Sequence, residues 1–487
     1  MAGRRWWRDA RLWLAAVLGA WLLFVWLVPA STLMLAVDDA YYYLRIARNV
    51  GDGRGITYDG VEPTTGFHPL WLLVVVPLTR IGGGEADVVM RAMLTTNLAL
   101  VAASAMLLVR HEGARVAMIL ALFLASFWAS KVLVCGQESS LAFLVMTVSF
   151  IAAARGARGS VLGVLAGALV WSRFALAPMA LGLVLYPLAD RRKHALAEAV
   201  VAAGTALIVT APWLAWVHSV DGRFVPVNAS TKLDEGVDAA IAFAVLVPIA
   251  VVVVARWSAT ASSLMQGRER LVPFVPLLTQ VVAQHAVDLV VRGRLVPEPW
   301  SLAPLALFLV LATARLVRGP FGRIVAGGWI ASAVAMWLLR LQPSSWSAYA
   351  ASARTGDWLA AHVSRSATIA GWDSGIIAAR APQRFVNLDG LVHSVAVARA
   401  VKHGELRAYL DDVLRPDFVV GYVVPGSTDV KSTELGDLSV VHVECASFRG
   451  LFELEPRTYP IVVLAHHDVN ASSGPPLATA TDGLCAE

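Results

Sequence analysis

The chain is built around uncharged apolar runs longer than a soluble core has use for. Leu12–Ala36, Val88–Val109, Leu196–Val217 and Val237–Ala255 are almost free of charge. Each is near or above the roughly 20 residues that carry a helix across about 30 Å of hydrocarbon. Of the 487 residues, 57% are hydrophobic and only 15% charged, which leaves too little charge to close a soluble globule of this size. The sequence therefore predicts a polytopic α-helical membrane protein. Its formal net charge of +5 is carried by short basic clusters between the apolar runs. That is the pattern of an orientation signal, so no nucleic-acid partner is expected. The opening MAGRRWWRDAR leads into an apolar run too long for a signal peptide and without a small-x-small cleavage site, so a retained anchor is expected.

The basic clusters also predict a topology. The N-terminus, Arg110–Arg115, Arg155–Arg158, Arg191–His194, Arg256–Arg270 and Arg315–Arg323 belong on the cytoplasmic side, with two crossings between consecutive clusters. Pairs such as Val116–Val134 with Ser139–Ala154, and Ser160–Trp171 with Ala175–Leu188, supply those crossings. The segment Pro69–Ile81 is one too many, so it is read as a re-entrant or juxtamembrane helix on the outer side. About eleven spans remain, with the C-terminus extracytoplasmic. Near Ser344 the spans stop, dividing the chain into a transmembrane catalytic module, 1–343, that includes the outer loop 37–71, and an extracytoplasmic α/β domain, 344–487. Short apolar segments at Ser366–Ala370, Phe385–Leu388, Phe418–Val424, Ser439–Val443 and Tyr459–Leu464 read as its strands. Cys445 and Cys485 lie where a disulfide is permitted, whereas Cys135 is expected to pack as a small apolar residue.

On this topology the chemically interesting residues share the outer face. Asp38-Asp39 can be read as caps of the helix that follows, or as a general base whose pKa is raised by burial beside Tyr41, Tyr42 and Tyr43. Arg45 and Arg48 add cations to the same helix. His68 lies just above the Pro69 segment, Glu138 opens a span, and Arg173 separates two short half-spans. Charges in such places are costly unless they line a polar cavity or pair with one another. Lys232 can reach headgroups or act as a point charge for a phosphate. GDGRG, residues 51–55, lacks the strand before it and the Lys-Ser or Lys-Thr after it that a phosphate loop needs. No HxxxH or HExxH pattern indicates a metal, and no Ser-His-Asp elbow is present.

The run VDDAYYYLRIARNVGDGRGITYDGVEPTTGFHPLW, with GQESSLAFL, WSRF, DGRFVPVNASTK and GWDSGIIAARAPQRFVNLDGLV, resembles bacterial polytopic glycosyltransferases of the GT-C superfamily. The likeness is to the aminoarabinose-transferase and protein O-mannosyltransferase type and covers essentially the whole chain. It implies transfer of a sugar from a polyprenyl-phosphate carrier to a glycan, lipid or protein acceptor outside the cytoplasmic membrane, with inversion. An acidic residue of the first outer loop would be the base, with Asp38 the first choice and Asp39 the second. Tyr42, Arg45, His68, Glu138, Arg173 and Lys232 are the candidate substrate contacts. The cations can neutralise the departing phosphate, so no cofactor is required and a divalent metal is not obligatory. Two positions depart from the family pattern: Phe174, where relatives often carry an acid, and Thr65, where they carry Asn. The competing class is a transporter or lipid-linked-sugar flippase, which would bury charges mid-span in matching repeat halves.

Overall fold

In a computed structural model of the chain, the described residues are 3–29, 31–190, 193–233, 246–252, 272–291, 302–316, 347–392, 394–422, 439–448 and 457–465. The first part is helical: α1 (Gly3–Leu27), α2 (Ser31–Leu35), α3 (Asp38–Gly51), α4 (Pro69–Leu78), α5 (Ala86–Glu112), α6 (Ala114–Ala125), α7 (Phe127–Leu133), α8 (Ser139–Ala154), α9 (Gly159–Ser172), α10 (Ala177–Ala189), α11 (Ala195–Asp221) and α12 (Val227–Leu233). Three of these, α1, α5 and α11, are long and apolar enough to cross a membrane, and several shorter apolar helices accompany them. The most apolar stretch of α5 is 56% buried, against 22% for α1 and α11, so α5 runs inside the bundle and the other two along its outside.

Two expected continuous segments are broken, each for a local reason. The run Leu12–Ala36 stops at Leu27 because Pro29 follows and disfavours helix in the residue before it. Val116–Val134 is split into α6 and α7 at Ser126, whose backbone is extended and whose hydroxyl bonds back to the Phe123 carbonyl at 2.5 Å. The Pro69 segment forms only the ten-residue α4, about 15 Å long at 1.5 Å per residue, shorter than the hydrocarbon layer. Most of the expected span Val237–Ala255 and all of the cluster Arg256–Arg270 lie outside the described residues. Where α9 crosses α11 the backbones come close. A Cβ on Gly163 would sit 2.4 Å from the Ala202 carbonyl oxygen, and Gly159 and Gly167 flank it one turn away on each side.

From Ser347 onward the chain alternates helices with a five-stranded sheet. Its strands are β1 (Thr368–Gly371), β2 (Arg384–Asn387), β3 (Phe418–Tyr422), β4 (Ser439–Phe448) and β5 (Arg457–Ala465), in spatial order β2-β1-β3-β5-β4. β1 is parallel to β2 and β3, while β5 is antiparallel to β3 and β4. Side chains alternate between the faces. Ile369, Phe385, Val420 and Val463 join the apolar core shared with the helical part, whereas Ala370, Val386, Val419 and Leu464 form a separate core on the other face. Cys135 is free and buried. Cys445 is disulfide-bonded, and Cys485 lies outside the described residues.

One helix joins the two parts. α3 lies against the six-residue helix Gly375–Arg380 and holds both of its ends. The Asp38 carboxylate accepts the free N–H groups of Gly375 and Ile376 at 2.8 and 2.9 Å. At the other end Arg45 donates to the carbonyls of Ala378, Ala381 and Gln383, and Arg48 to that of Ala379. An acidic side chain at the N-terminus and cations at the C-terminus suit the dipole of the short helix. Further ties run from Asp59 to Arg384 at 2.8 Å and from Asp87 to Arg380 at 2.6 Å. Contact between α3 and the short helix is so close that a Cβ on Gly375 would lie 2.3 Å from the Asp38 carbonyl oxygen.

Replacing Gly375 by valine therefore overpacks this joint and should cost about 1–3 kcal/mol of stability. Gly204, on α11, has open space around its missing Cβ, so Gly204→Ala should be neutral or stabilising by roughly 0.5–1 kcal/mol. Thermal unfolding of both variants in detergent checks the contrast; equal midpoints would mean that the joint does not bear on stability.

Candidate functional site

The site grows from one buried acid. Glu138 precedes α8 in the turn after α7 and is 3% exposed, a position where an ionised carboxylate is costly unless it is paired. Its partners come from three other segments. Tyr43 of α3 donates its hydroxyl to one carboxylate oxygen at 2.9 Å. His68 Nε2 lies 3.6 Å and Arg173 Nε 3.7 Å from the other oxygen. Burial alone would push this carboxyl up, but His68 and Arg173 outweigh it and hold Glu138 below the usual carboxylate range. The Tyr43 hydroxyl is pushed well up by burial and by Glu138, so it stays a donor. It also accepts the backbone N–H of His68 at 3.2 Å.

Around this group lies a cavity lined by Asp39, Tyr42, Tyr43, Gly66, His68, Gln137, Glu138, Arg173, Asn228, Leu391 and Val392. Five of the sequence-derived candidates meet there: Asp39, Tyr42, His68, Glu138 and Arg173. Asn97 on α5 fixes the turn that carries Glu138, accepting from Gly136 N–H at 2.8 Å and donating to the Gln137 carbonyl at 3.0 Å. Arg173 also reaches Ser139 Oγ at 3.3 Å. Gly66 is required by close approach, since a Cβ there would lie 2.1 Å from the Leu391 carbonyl oxygen.

Two of the remaining candidates point elsewhere. Asp38 is absent from the cavity lining because both its oxygens accept backbone N–H groups of the short helix. Burial pushes its carboxyl up to about 7, against the two hydrogen bonds, with Asp373 and Asp39 adding to the rise. Arg45 is a clamp, its guanidinium spent on backbone carbonyls. Lys232 belongs to α12, which also brings Asn228 to the cavity, but the lysine side chain lies outside the described residues.

The far wall was not foreseen. The loop after the carboxyl end of the parallel strand β2 supplies it, the usual place for a ligand crevice in such a sheet. Asp389, just after β2, accepts from Tyr42 Oη at 2.9 Å, Asn387 Nδ2 at 2.9 Å and Asp373 N–H at 3.0 Å. The last bond holds Asp373 at a φ of 43°, in the left-handed region. Leu391 and Val392 follow directly. The LDGLV segment stood out in the sequence but nothing in it named a partner, and Gln137 and Asn228 were masked by their chemically louder neighbours. Thr65, at the departure from the family pattern, bonds to the Asp221 carboxylate and accepts the Val227 N–H at 2.9 Å, joining the first loop to the start of α12. Among the described residues no three His, Cys, Asp or Glu side chains gather as metal ligands would.

Comparison with known proteins adds little to this geometry. Residues 341–468 match a family described as a domain of unknown function (DUF8728). No curated protein matches the chain. Among solved structures the chain is similar to ArnT from Cupriavidus metallidurans bound to undecaprenyl phosphate, with 17% identity over 95% of this chain and 99% of that one and a TM-score of 0.46.

Asp38 offers a test of the joint by pH. Its folded-state value of about 7 lies above the ordinary 3.8. Between these values the folded protein keeps a proton that the unfolded chain releases, so this group's contribution to stability falls as pH rises through the interval. In Asp38→Asn that slope should vanish, and Asp38→Ala should lie about 0.5–2 kcal/mol below Asp38→Asn at all pH for want of a cap. Unfolding midpoints from pH 4 to pH 8 check both; a constant difference between wild type and Asp38→Asn would show that Asp38 titrates normally.

Proposed function

We propose that the chain is a membrane glycosyltransferase that moves a sugar from a polyprenyl-phosphate donor to an acceptor on the extracytoplasmic side, by a single inverting displacement with Asp39 as general base. One observation carries the reading. The segments that bear the likeness to polytopic glycosyltransferases are DDAYYY, TTGFHP, GQES, WSRF, VNAST and NLDGLV. They are scattered over most of the chain, yet each contributes to one polar cavity.

The chemistry suits those side chains. Asp39 takes the proton of the acceptor hydroxyl as its oxygen bonds to the anomeric carbon. The bond from that carbon to the phosphate oxygen breaks, and its electron pair leaves with the lipid phosphate. Arg173 and His68 stand beside the cavity as cations for that leaving group, with Glu138 and Tyr43 fixing their positions. Lys232 on α12 is the further cation of this proposal. Sequence favoured Asp38 as base; Asp39 is preferred here because it lines the cavity, whereas Asp38 does not and caps the helix Gly375–Arg380. The outer apolar helices α1 and α11 provide the lipid-facing surface a polyprenyl chain requires. The acceptor would be a glycan, lipid or protein of the cell envelope.

The test is transfer from radiolabelled polyprenyl-phosphate sugars by the reconstituted protein. Asp39→Asn should lower turnover by on the order of a hundredfold or more, as removal of a general base does. Asp38→Asn should retain most activity per folded molecule. Near-full turnover in Asp39→Asn would remove that residue from the chemistry, and movement of donor across the vesicle without transfer would favour a flippase.

A further inference from the structure

We infer that Gln137 and Asn228 read the hydroxyl groups of a neutral sugar in this cavity, an inference that rests on its reading as a glycosyl-transfer site. Both residues line the cavity, from opposite elements: Gln137 in the turn before α8 and Asn228 in the first turn of α12. Their backbones are pinned. The Gln137 carbonyl receives Asn97 Nδ2 at 3.0 Å, and α12 is tied down through Val227 N–H to Thr65 at 2.9 Å and Thr231 Oγ1 to the Gly390 carbonyl at 3.1 Å. Their side-chain oxygens are buried, and neither accepts a hydrogen bond among the described residues. Gln137 is 4% exposed.

A buried acceptor without a donor is costly, and here two belong to residues that line one cavity. An occupant that satisfies these oxygens must donate hydrogen bonds. A lipid phosphate offers only acceptors once ionised; it could meet the amide N–H groups but would leave both oxygens without a donor, and Arg173 and His68 suit that end better. Sugar hydroxyls are donors. Leu391 and Val392 add an apolar wall against which the C–H face of a ring can lie. The charge balance narrows the class further. Arg173 and His68 share this lining but pair with Glu138 and, on the reading above, serve the leaving phosphate, which leaves Asp39 and the two amide oxygens for the ring, so a ring bearing a carboxylate would meet like charge and more acceptors. The cavity thus fits a neutral hydroxylated hexose or pentose better than a uronic acid.

The experiment compares wild type with Gln137→Met, Asn228→Leu and the acceptor-keeping Asn228→Asp in lipid nanodiscs. Donors are the polyprenyl-phosphate-linked sugar that wild type transfers and its monodeoxy analogues. A site built to hydrogen-bond a hydroxyl rejects the analogue lacking it by a hundredfold or more. Wild type and Asn228→Asp should show that discrimination at one hydroxyl. Gln137→Met and Asn228→Leu should each lose it, their kcat/KM for the full sugar falling about tenfold to a hundredfold toward the deoxy value. If every variant keeps the wild-type ratio, or loses activity equally on all donors, the two amides only support the turn and the inference fails while the transferase reading stands. Saturation-transfer NMR with free methyl hexosides, methyl pentosides and methyl glucuronide is the second arm and needs no turnover. Neutral glycosides that bind wild type but neither amide-removing variant, with no transfer from any donor, would sustain the sugar site and sink the transferase. Binding of methyl glucuronide as well as the neutral glycosides, or binding of none, would overturn the inference.

Discussion

The grip of α3 on the helix Gly375–Arg380 is the constraint from which the site follows. That short helix, six residues long, has four free N–H groups and four free carbonyls and little length over which to repay them. Asp38 supplies its cap from 337 residues away, and Arg45 and Arg48 close its other end. Residues 38, 45 and 48 fall along one side of α3, so a single rigid helix face sets the distance between the apolar bundle and the sheet. The neighbouring face, carrying Asp39, Tyr42 and Tyr43, is then turned toward the cavity. Fixing the first face fixes the second.

Glu138 has the complementary task within the cavity. A carboxylate this buried is tolerated only because Tyr43, His68 and Arg173 surround it, and removing any of them would leave charge exposed to a poor solvent. The arrangement orders a tyrosine, a histidine and an arginine that arrive from three separate segments. Asn97, Ser139 and the Gly136 turn extend the order outward to α5 and α8. A cavity organised in this way has fixed dipoles before any ligand arrives, which is the condition for electrostatic stabilisation of a charged transition state.

The part from Ser347 onward contributes wall. The loop after β2 provides Leu391 and Val392. Behind them Asp389 collects three donors, from the cavity tyrosine Tyr42, from Asn387 and from Asp373 N–H in the loop after β1. Because one sheet face shares its core with the helices, these loops are held by packing as well as by hydrogen bonds. The Gly66 contact with Leu391 leaves no room for a side chain, so the first loop and this wall meet backbone to backbone.

The sequence determined what periodicity and charge can carry. Apolar length marked α1, α5 and α11; alternation and β-branched content marked all five strands to within a few residues, β4 and β5 extending beyond the expected segments. The residue types of the site were also visible, since carboxylates, tyrosines and cations beside apolar helices are expensive without a purpose. What it could not decide was direction. Adjacent residues on a helix point about 100° apart, so the sequence could rank Asp38 before Asp39 only by resemblance, and the two part company in three dimensions. Arg45 offered a free cation to the reader of the sequence and is consumed by carbonyls more than 330 residues away. The helix Gly375–Arg380 escaped notice because its caps are not its neighbours, and Gln137 and Asn228 because an amide's role depends on whether a partner reaches it. Local pattern reports which groups a chain carries; only tertiary packing decides which of them are already satisfied and which are left facing a cavity.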